Sequence, residues 1–447
     1  MPWYKDKIFW AIFAVAALVK LAALLYVMQS PLGEQLLVFP DSLGYVYPAQ
    51  TLLSYGQFWE AVSASPMLLR TPGYPVFLAL VQFVSGSLTW AVAITQNLLS
   101  LLLLVPVYLT TLRLADKNAA RWTAGFCAAS VLYFSLSFSV LSETLCVFLL
   151  AWFVYAALRW LENRQGIFLF LAAALLSAAI YVRPVAYYFA GLSALLLGGL
   201  AYREKSRRVL KQSVLFFIGP VILFVGAWQV RNYITAGYGG FTTVAAYNMY
   251  IWNEDFVAKE KGIDVAQAHD ELLARLPGNF TELSAKKQVK TYKQLAAPLL
   301  KQSWKYKLFR VPLWAAKTLL GTNHVHTTRL ILARADEPES TLNQTGALPR
   351  RWLNSLPDKL IFAVSLLQVM ATALLGFIGL GVLFKNRPTA ALFLAVYVCY
   401  FWGLGSSFLG AYARFRAPFE FVLCITAGIA VSACCKRYRH RCPKDTN

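Results

Sequence analysis

The stretch "IFWAIFAVAALVKLAALLYVM", residues 8–28, carries a single charge, Lys20, in twenty-one residues. At about 1.5 Å of rise per residue, a helix of this length crosses the roughly 30 Å hydrocarbon layer of a bilayer. The same apolar length recurs along the chain, at 88–112, 122–140, 144–160, 167–182, 185–201, 213–230, 360–384, 389–409 and 418–434. With the first run, this predicts an all-α polytopic membrane protein of about ten transmembrane helices. Composition agrees: 58% of residues are hydrophobic, mean hydropathy is +0.53, and only 14% are charged, against about 25% in a soluble domain. The first run has a basic start but no small-x-small cleavage site, so it reads as a retained span.

The formal net charge of +21 invites a nucleic-acid reading, but the charges lie in loops between spans. Alternate short loops hold nineteen lysines and arginines, against four in the loops facing the other way. The positive-inside bias predicts that both termini are cytoplasmic, and no nucleic-acid partner is called for. Two larger segments, 29–87 and 231–359, then lie outside. The expected division is an N-terminal transmembrane module at 1–230, an outer loop at 231–359, and C-terminal spans with a basic tail at 360–447. In the outer loop, "AHDELLARL" and "TELSAKKQVKTYKQLAAPLL" read as polar helices, and "KQSWKYKLFRVPLWAAKTLLG" as a helix in the headgroup region. None of the seven cysteines lies in an outer loop, so no disulfide framework is expected.

The four outer short-loop cations are Arg70, Arg183, Arg414 and Arg416, and Arg231 sits at the mouth of the span before the long loop. The charge bias disfavours arginine there, and its planar fork of donors suits phosphate. One such arginine is explained by snorkelling or by a lipid phosphate; five together point to an anionic headgroup. Two acids share that side, Asp41 in "FPDSLGYVYPAQTLLSYGQF" (39–58) and Glu143 in "SVLSETLCVFLLAW" (139–152). With Pro48 at a helix start and Gly56 just past its end, a helix over 48–55 leaves Asp41 upstream, either capping a turn or facing a cavity. His324 and His326 form an i, i+2 pair without an acidic or cysteine partner nearby in sequence, which favours a polar loop over a metal site. A divalent metal stays open, since one acid per loop makes a poor cage.

Taken in order, "PDSLGYVYPAQTLLSYGQF", "RTPGYPVFLAL", "LSETL", "YVRP", "WQVRNYITAGYGGFTT" and "ARFRAPFEFVL" resemble the GT-C membrane glycosyltransferases, in the bacterial branch related to protein O-mannosyltransferases and the lipid A aminoarabinose transferase. The resemblance covers most of the chain and departs at Ser42, where many relatives carry a second acid. It implies a GT-C-like fold in a bacterial inner membrane and a polyprenyl-phosphate-linked sugar donor. It further implies inverting transfer to a hydroxyl of a glycolipid, polysaccharide or protein on the extracytoplasmic face. On that reading Asp41 is the general base and Glu143 fills any second acidic role. Arg183, Arg231, Arg414, Arg416 and Arg70 hold the donor phosphate, and Tyr45, Asn232 and Asn248 meet sugar or acceptor. Three alternatives are an O-antigen-type polymerase or ligase, a lipid or glycan transporter, and a scaffold. The transporter reading is weakened because only Lys20 is a clear mid-span charge.

Overall fold

The computed structural model describes residues 3–60, 65–333, 355–407 and 412–441. Among these the regular elements are helical, and the one β-type pairing is an isolated bridge between Trp59 and Pro66. In chain order the α-helices begin with α1 (Lys7–Gln29), α2 (Pro40–Tyr55), α3 (Gly73–Ser85), α4 (Thr89–Leu102) and α5 (Leu104–Leu114). Next come α6 (Lys117–Ala128), α7 (Val131–Phe138), α8 (Glu143–Asn163), α9 (Gly166–Val182) and α10 (Tyr187–Arg203). Then follow α11 (Arg207–Ser213), α12 (Gly219–Ala236), α13 (Val244–Ile251), α14 (Glu254–Lys261) and α15 (Val265–Ala274). The last are α16 (Ala285–Leu320), α17 (His324–Ile331), α18 (Leu356–Asn386), α19 (Pro388–Ser407) and α20 (Ala417–Arg441).

Eight of the expected spans appear as stretches long and apolar enough to cross a membrane, and the chain is a multi-pass membrane protein. The expected span 167–182 is α9, a shorter apolar helix of 17 residues. The expected span 122–140 is broken: α6 ends at Ala128 and α7 begins at Val131. Ser130 makes the break, because its hydroxyl caps the Tyr133 N–H at 3.1 Å and donates to Glu420 at 2.6 Å. Hydropathy averages over such a break, since serine barely lowers an apolar window.

The innermost span is α20, whose Phe419, Phe421, Cys424 and Ala427 are fully buried. It packs against α18 and α6, and more lightly against α5, α8 and α19. The first helix is peripheral, so its apolar surface faces the bilayer. Lys20 points inward, donating to Ser137 at 2.7 Å and Asn97 at 3.3 Å. That satisfies an ammonium that hydrocarbon would not. Ion pairs at one end of the bundle, Arg121 with Asp6 and Lys436 with Asp116, tie the N-terminal turn and the basic tail together. Arg70, Arg183 and Arg414 lie at the opposite end.

The polar part of the long loop folds on a small core of its own, with Tyr250, Ile251, Phe256, Leu272 and Leu299 buried. Its two polar stretches are α15 and the start of α16, as read from the sequence. The expected headgroup helix is not separate. Helix α16 runs 36 residues through Pro298 and Pro312, and its far end packs against the turn Ala413–Arg416. Trp304, Leu308 and Phe309 are exposed along it, a surface suited to lipid.

Candidate active site

Asp41 sits in the first turn of α2. That helix starts at Pro40, eight residues before the expected start at Pro48, and ends as expected at Gly56, whose φ of +66° forms the left-handed cap. Proline is as well suited to the first position at 40 as at 48. Ser42 reaches back to accept the Phe39 N–H at 2.9 Å, which closes the helix start. Pro48 becomes an interior residue, buried in packing that offsets its missing N–H. Asp41, Gly44 and Tyr45 therefore stand at i, i+3 and i+4, on one face.

Arg70 lies across that face. Its Nη2 donates to Asp41 Oδ1 at 2.8 Å, its guanidinium stands 4.7 Å over the Tyr45 ring, and a Cβ on Gly44 would meet its Nε at 2.9 Å. The "RTPG" turn carrying Arg70 is docked on the "YVRP" turn. Thr71 donates to the Val182 carbonyl at 3.2 Å, and a Cβ on Gly73 would lie 2.6 Å from the Tyr181 backbone. This close approach brings Arg183, the C-cap of α9, beside Arg70. Arg183 faces Glu143 at 2.6 Å and donates to Ser142 Oγ at 3.1 Å. Ser142 in turn donates to the Tyr45 hydroxyl at 3.2 Å. From the last turn of the bundle, Arg414 Nη2 meets the other oxygen of Asp41 at 2.9 Å.

The chain of contacts runs Arg414, Asp41, Arg70, Tyr45, Ser142, Arg183, Glu143. Three guanidinium groups face two carboxylates, which leaves the cluster cationic. Burial disfavours the Asp41 charge, but Arg414 and Arg70 outweigh it and hold the carboxyl well below the usual carboxylate range. Asp41 and its two arginines keep side-chain exposures of 35%, 24% and 19%, whereas Glu143 keeps 3%. Arg183 keeps 19%, as Arg414 does, so an anion from outside can reach all three guanidinium groups, while Glu143 is closed to it.

Other expected site residues stand elsewhere or serve the scaffold. Arg416, expected as a phosphate ligand, is buried. It pairs with Glu420 at 2.7 Å and donates to the carbonyls of Thr318, Leu319 and Gly321. The two arginines of "ARFR", separated by Phe415, thus split into one that faces the cluster and one that pins α16 to α20, a difference invisible without side-chain direction. Arg231 joins the cluster by no hydrogen bond or ion pair among the described residues. It stacks over Trp228 at 4.7 Å and donates to Asn232 Oδ1 at 3.1 Å. Asn232, expected at the sugar, is fully buried and ties the following loop by donating to the carbonyls of Gly240 and Phe241. Tyr45 is buried and links the two ion pairs. Asn248 is half-buried on α13. Ser142 and Gly44 complete the geometry, and neither was among the expected site residues.

His324 accepts from or donates to Thr322 at 2.7 Å, and His326 packs against Phe39. Among the described residues no group of three or more His, Cys, Asp or Glu is placed to share a metal ion.

Residues 69–228 match the family model described as dolichyl-phosphate-mannose-protein mannosyltransferase. That segment holds Arg70, Glu143 and Arg183; Asp41 and Arg414 lie outside it. Among solved structures, the chain is similar to the oligosaccharyltransferase AglB of Archaeoglobus fulgidus, in a complex with an inhibitory peptide and a dolichol-phosphate. The TM-score is 0.54 at 15% identity, covering all of this chain and 53% of that one. The apo form of the Archaeoglobus fulgidus oligosaccharyltransferase gives 0.53 at 14% identity, over 98% and 52% of the two chains. ArnT from Cupriavidus metallidurans, in the apo state, gives 0.39 at 14% identity, over 94% and 77%. This chain thus spans about half the length of the oligosaccharyltransferase it matches. No curated protein matches it by sequence. The fold is GT-C-like, as the order of motifs implied.

Proposed function

We propose that this chain, which has the fold of the GT-C membrane glycosyltransferases, moves a sugar from a polyprenyl-phosphate donor to a hydroxyl acceptor at the membrane surface. One observation carries the reading: Asp41 lies between Arg70 and Arg414, within an accessible cluster that holds one more cation than anions. Such a cluster suits a phosphate leaving group beside a base. The acceptor oxygen attacks the anomeric carbon and forms the new C–O bond. The bond from that carbon to the phosphate oxygen breaks, and its electron pair stays on the phosphate. The acceptor proton goes to Asp41, which must reach it within hydrogen-bond distance. A single displacement of this kind inverts the anomeric centre.

Arg70, Arg414 and Arg183 neutralise the charge that grows on the departing phosphate, and interactions that strengthen as charge develops lower the barrier. Glu143, buried against Arg183, orients that guanidinium rather than taking the proton. A bacterial inner membrane, cytoplasmic termini and an extracytoplasmic site belong to the same proposal; they are supported by the clustering of basic tail and loops at the end opposite Asp41.

The test compares envelope glycans and glycolipids, by mass spectrometry, in a strain lacking the gene and in strains restored with wild-type or Asp41→Asn protein at matched membrane levels. A sugar mass restored by wild type alone supports the transferase and identifies sugar and acceptor. Equal restoration by Asp41→Asn removes the general base from the proposal.

A further inference from the structure

We propose that Asp41 is also a latch: an internal anion that occupies Arg70 and Arg414 until a lipid phosphate displaces it. This rests on the donor-phosphate reading above. Each oxygen of Asp41 is engaged, Oδ1 by Arg70 at 2.8 Å and Oδ2 by Arg414 at 2.9 Å. Carboxylate and phosphate oxygens compete for the same guanidinium donors. The two anions therefore exclude one another from these arginines, and the bound state needs Asp41 to move off them.

The exchange is confined to this pair because Asp41 is open, at 35% exposure, while Glu143 is buried at 3%. Asp41, Arg70 and Arg414 are partly open, while Arg416 with Glu420 is sealed at 2% exposure on both sides. Arg183 keeps its own carboxylate, Glu143, and so is not released with the others. Two consequences follow for the reaction. Asp41 becomes a competent proton acceptor only after the donor phosphate has taken its arginines, so donor binds before acceptor is activated. After transfer Asp41 is protonated and neutral, and it cannot compete with the product phosphate. Once it gives that proton to water it re-pairs with the arginines and helps expel the product.

The experiment measures binding of a short-chain polyprenyl monophosphate to the full-length protein in detergent. Asp41→Asn and Asp41→Ala are compared with wild type, and transfer is assayed in parallel. Removing a competing anion should tighten binding about tenfold in both variants. Unchanged or weaker binding overturns the latch and makes Asp41 a holder of the arginines. The base reading is scored separately: tighter binding with transfer intact keeps the latch and removes the base, and untightened binding with transfer lost does the reverse. If both variants misfold, stopped-flow binding to the wild-type protein decides. A latch that must open first gives an observed rate that reaches a plateau with lipid concentration, and a rate that rises linearly throughout overturns it.

Discussion

Replacing Gly44 with alanine should separate stability from function. Gly44 is an interior residue of α2, and alanine there gains about 0.8–1 kcal/mol of helix propensity over glycine. The new methyl, however, would stand 2.9 Å from Arg70 Nε and 3.3 Å from its Nη2. Carbon contacts settle near 3.5 Å, so the guanidinium must retreat by about 0.6 Å. From 2.8 Å, its bond to Asp41 then stretches to the edge of hydrogen bonding. For a partly exposed charged pair that loss is about 1.5 kcal/mol, at the low end of the range for charged groups. Phosphate binding weakens by about tenfold, because Arg70 is moved whichever anion it holds. The assay is lipid-phosphate binding with a thermal melt on the same preparation. Gly125→Ala serves as the control, since a methyl there meets nothing within 4 Å. Gly125→Ala should melt at or slightly above wild type, Gly44→Ala within about 1 kcal/mol of it because the helix gain offsets most of the lost ion pair, and only Gly44→Ala should lose binding. Full binding by Gly44→Ala would refute the packing of Arg70 on α2.

Three further outcomes are expected. Arg416→Leu should lower the melting temperature sharply, because Glu420 is left charged and buried at a cost of about 3 kcal/mol, whereas Arg414→Leu should lower it only slightly and lose lipid-phosphate binding. Gly73→Ala should cost both stability and transfer, since its methyl meets the Tyr181 backbone at 2.6 Å and parts Arg70 from Arg183; a wild-type melt would show that the turn yields freely. Burial, with Arg414 and Arg329 nearby, pushes the His326 imidazole down to about 3 from 6.5. The unfolded chain then takes up a proton as pH falls below 6.5 and the folded chain does not, so stability declines from pH 6.5 towards about 3 and is unaffected above. His326→Phe should reduce the drop in melting temperature between pH 7 and pH 5, with His324 supplying a remaining slope through its own value of about 4.

The spans were legible in the sequence because hydrocarbon imposes one length on any helix that crosses it. Arg70, Arg183 and Arg414 were legible as a group because charge bias makes outward cations conspicuous. What sequence did not carry was direction. Arg414 and Arg416 are two residues apart in the same short turn, yet one meets Asp41 and the other Glu420. Nor did it carry the choice between two prolines: either Pro40 or Pro48 makes a sound helix start, and only packing around a buried Pro48 selects the longer helix. The break at Ser130 escaped for a related reason, since its partner Glu420 lies 290 residues away. Tyr45 was expected at sugar or acceptor from the resemblance alone; it is buried, and its hydroxyl accepts from Ser142 between the Asp41 and Glu143 ion pairs.

The position of α20 has a consequence for how the protein is made. The most buried of the long helices, with 78% of its apolar window enclosed, is also the last of the described spans to leave the ribosome. About 250 residues separate the end of α8 from its start, a delay of roughly 10–50 s at ordinary synthesis rates. During that time the earlier spans wait in the membrane around a slot their central helix has yet to fill. Arg414 arrives only with that helix, so a nascent chain stalled before it carries Asp41 without its second arginine. Packing of the bundle and completion of the Asp41 ion pairs are thus one late event.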